Sequence, residues 1–223
     1  MDNISMLLNH CKLFNHLSIN EISELLSQIT YSVKPYKKNE VIFSPHQATN
    51  NLGIILTGVV DVQKIFASGK AITVNRRFHT ELIADASLFA NIEHYPSTIS
   101  ACENSQILLI NKSNLLKLFS LDEMIMINFL ECVSNRVLGL NNTIEILSIS
   151  SVVAKIAYFL ILEQKKQRSD IITLKFSKKS LAEHINVSRP TLSRELQKMQ
   201  QMGIISFEKR TIKILDMEKL EKL

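Results

Sequence analysis

The sequence predicts an α+β protein in three consecutive parts: an antiparallel sandwich or barrel, a long helix with an apolar seam, and a small helical domain closed by a hairpin. Three observations carry this reading. Short β-branched and aromatic runs punctuated by turn residues fill the stretch from Tyr31 to about Ile110, which is the pattern of one compact antiparallel domain. A strict heptad repeat follows it. Beyond residue 149 the charge balance then changes sign, from 11 Lys+Arg against 13 Asp+Glu to 15 against 8, or from −2 to +7. The boundaries fall at 1–112, 113–148 and 149–223.

In the first part, Ser18-Ile19-Asn20-Glu21 is a capping box: the serine accepts from a free backbone N–H and the glutamate reaches back. Ile22, Leu25, Leu26 and Ile29 follow at helical spacing, so a short amphipathic helix runs to about Thr30. The strand candidates are Val41-Ile42-Phe43, Ile54-Ile55-Leu56, Val59 to Val62, Ile72 to Val74 and Ile107 to Ile110. Gly53, Gly58, Ser68-Gly69 and Pro96-Ser97 read as turns between them.

In the second part, Met126, Leu130, Val133, Val137, Leu140, Ile144 and Leu147 are spaced 4, 3, 4, 3, 4, 3. A helix packed on its own domain would show a wider stripe of period 3.6. A strict seam predicts a parallel two-stranded coiled coil, hence a homodimer. Asn141, beside the seam, is placed to fix register or to line a pocket between protomers. Ser148-Ile149-Ser150-Ser151 ends the seam and caps the next helix, whose apolar face is Val152, Val153, Ile156, Ala157 and Leu160. Ile171 to Phe176 reads as a strand.

The third part carries the functional signal. Ser177 caps a helix with Leu181, Ala182 and Ile185 inward, and Asn186 ends it in a left-handed conformation. Ser188 caps a second helix that tolerates Pro190 in its first turn. Leu192, Leu196 and Met199 bury one face of it, and Ser193, Arg194, Gln197, Lys198 and Gln201 occupy the other, with Arg189 and Thr191 leading. Gly203 and a hairpin tipped by Lys209 and Arg210 follow. Helix, tight turn, then a helix with a basic outer face fits a major groove. Phosphate contacts are expected from Lys178, Lys179, Lys209 and Arg210, and base discrimination from Arg189 and Arg194. Ser188, Thr191, Ser193 and Lys198 complete the expected DNA-contacting set.

Composition excludes other classes. With 46% hydrophobic and 21% charged residues the chain is of ordinary globular type. Val152 to Leu162 is interrupted by Lys155 and is too short to span a bilayer, so no membrane partner is expected. Met1-Asp2-Asn3-Ile4 lacks a basic stretch leading into an apolar run, so no secretory signal is expected. Three scattered cysteines (Cys11, Cys102, Cys132) make no disulfide framework and suggest a reducing, cytoplasmic compartment. The sequence has no phosphate-cradling Gly-rich loop, metal-ligand cluster or nucleophile–base spacing, so no catalytic or metal-binding residue recommends itself.

Ser188-Arg189-Pro190-Thr191-Leu192-Ser193-Arg194 resembles the recognition-helix string of the cyclic-AMP receptor/FNR (Crp–Fnr) family of bacterial regulators. So do Leu13-Phe14-Asn15-His16-Leu17-Ser18, Ile55-Leu56-Thr57-Gly58-Val59-Val60-Asp61-Val62, the seam helix and the order of domains. The resemblance covers nearly the whole chain. It implies a β-roll sensor of cyclic-nucleotide-binding type, a dimerisation helix, a winged helix-turn-helix, palindromic operators on double-stranded DNA, and contact with RNA polymerase.

The resemblance also shows what is missing. Family members that bind cyclic nucleotide use a Gly-Glu pair and an Arg followed by Ser or Thr. The matching stretches here are Ala84-Asp85 and Pro96-Ser97-Thr98. A buried phosphate without its cation loses a strong charge-assisted pair, and Ala closes off an approach that Gly permits. Cyclic AMP is therefore disfavoured. Asp85, Ser97, Thr98 and Asn141 remain as candidate effector-pocket residues for another small molecule, and no cofactor is expected. Three scattered cysteines cannot supply four ligands to an iron–sulfur cluster, and the six histidines lack the spacing that haem would need. Pro190 also replaces the Glu of the best-known recognition helix, so a different operator is expected. Three readings compete with an effector-responsive regulator: a regulator without effector that binds DNA constitutively, an enzyme, and a purely structural dimer.

Overall fold

The computed structural model describes residues 3–66, 68, 71–174 and 177–223. Gly69 of the Ser68-Gly69 turn, and Lys175 and Phe176 of the strand read from Ile171, lie outside the described residues. The chain forms two compact units, one ending at Asn135 and the other beginning at Arg136.

The first unit opens with α1 (Asn3–Leu8) and α2 (Ile19–Ser27). The capping box forms as read: Ser18 Oγ accepts from Glu21 N, and Ser18 N donates to Glu21 Oε2 at 2.8 Å. Eight strands follow: β1 (Tyr31–Tyr36), β2 (Val41–Phe43), β3 (Asn51–Thr57), β4 (Val59–Ile65), β5 (Ala71–Phe78), β6 (Leu82–Ile83), β7 (Thr98–Ala101) and β8 (Ser105–Asn111). A single turn, α3 (Asp85–Leu88), sits between β6 and β7. The strands make two four-stranded sheets, ordered β1-β8-β3-β6 and β2-β7-β4-β5.

Ile42, Phe43, Ile55, Val60, Ile83, Tyr95, Ile99 and Ile107 pack between the sheets. Leu52, Ile54, Leu56, Leu108 and Ile110 pack on the helices. Both faces of β3 are thus covered, which is why Ile54-Ile55-Leu56 reads as a continuous apolar run and not as an alternation.

Several elements differ from the sequence reading. Gly53 is not a turn but lies inside β3, where a Cβ would come within 2.5 Å of Ile83 Cγ1. Its role is close approach of a side chain, the other physical reason for glycine in a strand. Gly58 does turn the chain, at φ +90, and a Cβ there would meet Ser105 Oγ at 2.2 Å. β1 carries Pro35 and, among the described residues, pairs with β8 alone, an edge position that tolerates proline.

The segment read as one helix over 113–148 is two, α4 (Lys112–Leu121) and α5 (Glu123–Ser148). Asp122 separates them in an extended conformation, and its Oδ1 accepts from Met124 N at 2.8 Å. Within the first unit Asn128 Nδ2 approaches His16 Nδ1 at 3.1 Å, and His16 Nε2 lies 3.0 Å from Asp122 Oδ2. These contacts tie the start of α5 to the connection between α1 and α2.

In the second unit the rest of α5 precedes α6 (Val152–Gln167), β9 (Ile171–Thr173), α7 (Lys178–His184) and α8 (Arg189–Gln201). β10 (Ile205–Glu208), β11 (Thr211–Ile214) and a short α9 (Met217–Glu221) complete it. The three strands form one sheet, β10-β11-β9. Ile146, Ile156, Leu160, Ile172, Leu181, Ile185, Leu192, Leu196, Met199, Ile205 and Ile212 make its core. Burying each such side chain contributes about 1.5–3 kcal/mol, which offsets the conformational entropy of a small domain.

Candidate nucleic-acid interface

Local chemistry builds α7 and α8. Ser177 Oγ caps α7 by accepting from Ser180 N at 3.2 Å. Asn186 turns the chain at φ +54, a left-handed conformation that asparagine tolerates. Val187 N then bonds back to Ala182 O at 2.9 Å. Ser188 Oγ accepts from Thr191 N at 3.2 Å and lies 2.7 Å from Thr191 Oγ1. Both hydroxyls are therefore engaged in starting α8. Lys155, buried on α6, donates to Ile185 O at 3.4 Å and ties that helix to the same turn.

With Leu192, Leu196 and Met199 sealed inside, Arg189, Arg194, Gln197 and Lys198 are exposed and Ser193 is half-buried. The hairpin between β10 and β11 carries Lys209 at φ +51 and Arg210 at its exposed tip. Lys178 and Lys179 occupy the first turn of α7. They differ: Lys179 is exposed and 4.0 Å from Glu183, while Lys178 Nζ lies 4.0 Å over the ring of Phe207 on β10. The Lys178 ammonium is held against the wing by a cation–π contact. His184 lies edge-on to Phe159 with ring centroids 6.0 Å apart.

Along α5, Leu130, Val137, Leu140, Ile144 and Leu147 of the heptad seam are exposed. Met126 and Val133 are half-buried, and Val133 packs on the core of the first unit with Cys132. Ile127 and Leu138, off the seam, are exposed as well. So many large apolar side chains on one helix exceed what a lone surface helix ordinarily shows.

Residues 154–223 match the Crp-like helix-turn-helix domain, and residues 33–122 match the cyclic nucleotide-binding domain. The chain belongs to the Crp–Fnr family. The Anaerobic regulatory protein of Bacillus subtilis (strain 168) is 22% identical over 194 residues, spanning 85% of this chain and 81% of that protein. Among solved structures, CprK complexed with OCPA superposes with a TM-score of 0.72 at 16% identity, covering 91% of this chain and 92% of that one. A CooA mutant from Carboxydothermus hydrogenoformans gives 0.65 at 19%, covering 86% and 87%. Likeness at these identities shows the fold. The Crp–Fnr assignment makes this chain a DNA-binding transcription regulator of bacterial type.

The Crp–Fnr sensor region is less conventional. Ala84 takes a left-handed φ of +64 at the entrance to α3, and Asp85 behind it is buried. Thr98 is buried on β7 opposite Gln63, and Ser97 is half-buried before it. Asn141 is exposed and belongs to the second unit. Tyr95 pins the loop before Pro96: its hydroxyl accepts from Asn51 N and donates to Asn51 O, both at 3.0 Å, and its ring stacks on Phe43. A cation that sequence reasoning missed reaches this loop, with Lys64 Nζ donating to Pro96 O at 3.2 Å. Nothing in the local pattern around Lys64 announces it, because the contact spans 32 residues.

Two further features were missed. Asp61 is buried on β4 and paired with Arg76 of β5, Nε to Oδ1 at 2.8 Å and Nη2 to Oδ2 at 3.0 Å. Burial alone would raise the Asp61 carboxyl. The Arg76 pair and the Cys102 thiol outweigh it, and the carboxyl lies below its ordinary value. Burial pushes Cys102 up to about 11 and Cys11 up to about 12. The other missed feature is Glu195, buried on α8. Among the described residues Cys11, Cys102 and Cys132 form no disulfide. Among the described residues no group of His, Cys, Asp and Glu is placed to hold a metal ion, and no helix is long and apolar enough to cross a membrane.

Proposed function

We propose that the chain acts as a homodimer that reads a palindromic operator through α8 and answers to an effector other than cyclic AMP. The observation that carries the DNA part is the division of α8: an apolar face sealed in the core and an outer face bearing Arg189, Arg194 and Lys198. The arginines suit guanine O6 and N7, and Lys179, Lys209 and Arg210 suit phosphates on either side. Lys178 contributes at shorter reach, from its seat on Phe207. Exposed Leu130, Val137, Leu140, Ile144 and Leu147 support the dimer, since a partner helix would cover them. RNA polymerase is the further partner that the family implies, and the cytoplasm the compartment.

For the sensor, the residues do not fit a cyclic phosphate. Pro96 offers no side-chain cation, Asp85 adds a buried carboxyl, and Lys64 is exposed and already donates to a backbone carbonyl. Raised thiols at Cys11 and Cys102 are poor cluster ligands, because the thiolate is the ligand. Asp85, Ser97 and Thr98 are the residues of the first unit proposed to meet a different small molecule. An effector must favour one arrangement of the DNA-binding units over the other, or it shifts nothing. The second reading, constitutive binding without effector, rests on the same departures at Ala84-Asp85 and Pro96. Titrating operator DNA with and without a metabolite panel separates the two: unchanged affinity throughout supports the second.

Arg194→Ala tests the core of the proposal. Selection from a randomised duplex pool is expected to show preference lost at one base pair per half-site, about 1–3 kcal/mol. A chain that sediments as a monomer and ignores DNA at low salt overturns it.

A further inference from the structure

Position 195 breaks the pattern of α8. Glu195 falls among the sealed residues, three after Leu192 and four before Met199, and keeps 7% of its accessible surface. A carboxylate covered this closely by its neighbours loses water contacts that pairing can replace. It is paired by two cations of the outer face: Arg194 Nε and Lys198 Nζ each donate to Oε1 at 3.1 Å. Those two bonds hold the Glu195 carboxyl below the usual carboxylate range, so it is an anion at neutral pH.

Which atom Arg194 gives up is informative. A guanidinium carries one N–H on Nε and two on each terminal nitrogen, in one plane. With Nε committed to Oε1, both Nη groups stay available, and the side chain remains 64% exposed. The planar fork reads guanine with two parallel donors, and its orientation decides whether both reach. An unrestrained arginine samples many rotamers and loses that freedom on binding. Lys198 balances the remaining charge, so the helix does not present a bare carboxylate to phosphates.

We propose that Glu195 is a positioning residue for base reading, holding the Arg194 guanidinium by Nε so that its two terminal nitrogens meet a base edge end-on. The inference rests on the reading of α8 as the base-contacting helix. It adds a specificity determinant that itself touches no DNA.

The experiment uses the full chain and a randomised duplex pool, comparing wild type with Arg194→Ala, Glu195→Ala, Glu195→Gln and Glu195→Asp. Arg194→Ala is expected to flatten preference at one base pair by about 5- to 150-fold. Glu195→Ala should flatten that same base pair by about 5-fold or more and leave the other positions alone. Glu195→Gln keeps an amide oxygen for Nε and should retain most of the preference. Glu195→Asp, one methylene shorter, should lose it while keeping the charge. The Gln and Asp pair decides the matter even if the Ala variant melts below the assay temperature. Uniform weakening at all positions by every Glu195 variant overturns the inference, as does an untouched base pair in Glu195→Ala where Arg194→Ala is flat. If Arg194→Ala changes no base preference, the reading of α8 itself fails and this inference falls with it.

Discussion

Each compact unit covers a carboxylate with basic side chains and turns its chain through a left-handed residue beside a helix end, and the two units do so differently. In the first, Asp61 is held by Nε and Nη2 of Arg76, its direct partner on the neighbouring strand of the same sheet. In the second, Glu195 is held by its own helix neighbours, Arg194 and Lys198, which project from the proposed DNA-facing side. The first pair is committed to the fold. The partners of the second are available to a polyanion that competes for them. The left-handed turns differ too: Asn186 is a residue suited to φ +54, whereas Ala84 at φ +64 pays the steric penalty of its Cβ.

The largest expected effect breaks the first pair. Arg76→Ala leaves Asp61 buried without its cation and should cost about 2–4 kcal/mol, somewhat under a fully buried pair because Arg76 is itself partly exposed. Thermal melting would read this as a lower midpoint for the first unit. A change below about 0.5 kcal/mol would place the pair among ordinary surface bridges.

The same pair sets an acid limb. Because the folded Asp61 carboxyl lies below its ordinary value, the unfolded chain binds the proton more readily. The stabilisation is complete above the unfolded value near about 4 and is lost as pH falls through the folded value below it. Melting midpoints of Asp61→Asn should therefore fall less steeply below about pH 4 than those of wild type. Equal slopes would remove Asp61 from the acid response.

The smallest effect sharpens the comparison of turns. Ala84→Gly deletes a buried methyl worth about 0.8 kcal/mol but relieves about 1–2 kcal/mol of left-handed strain. It should stay within about 1 kcal/mol of wild type once the added freedom of the unfolded glycine is included. Ala101→Gly removes a comparably buried methyl from β7, where no strain is relieved, and should cost about 1–2 kcal/mol. Equal losses in denaturant titration would show that φ at Ala84 carries no strain.

Legibility in the sequence followed the range of the interactions. The caps at Ser18, Ser151, Ser177 and Ser188, the turn at Asn186 and the split face of α8 depend on residues within a few positions of one another, and all are present. The edge strand β1, the two-residue β6 and the interior place of Gly53 depend on partners up to 79 residues away, as in Tyr31 opposite Ile110. Their local composition, with Pro35 in one and a glycine in another, argues against strand on its own terms. Glu195 was passed over for a related reason. Helical spacing puts it on the sealed face, where an acid is unexpected until its two partners are seen.

By itself the amino-acid order determined the succession of a strand-rich part, a heptad helix and a helix-turn-helix with wing, and it located the basic outer face of α8. Capping, periodicity and charge act over one or two helical turns, so a linear pattern contains them. Only the tertiary structure decided that Asp122 divides α4 from α5, that Asp61 is clamped by Arg76, that Lys64 reaches Pro96, and that Lys178 rests on Phe207. Most of these contacts join strands or turns distant in the chain, and burial and pairing energies act through space, where the order of residues carries no measure of distance.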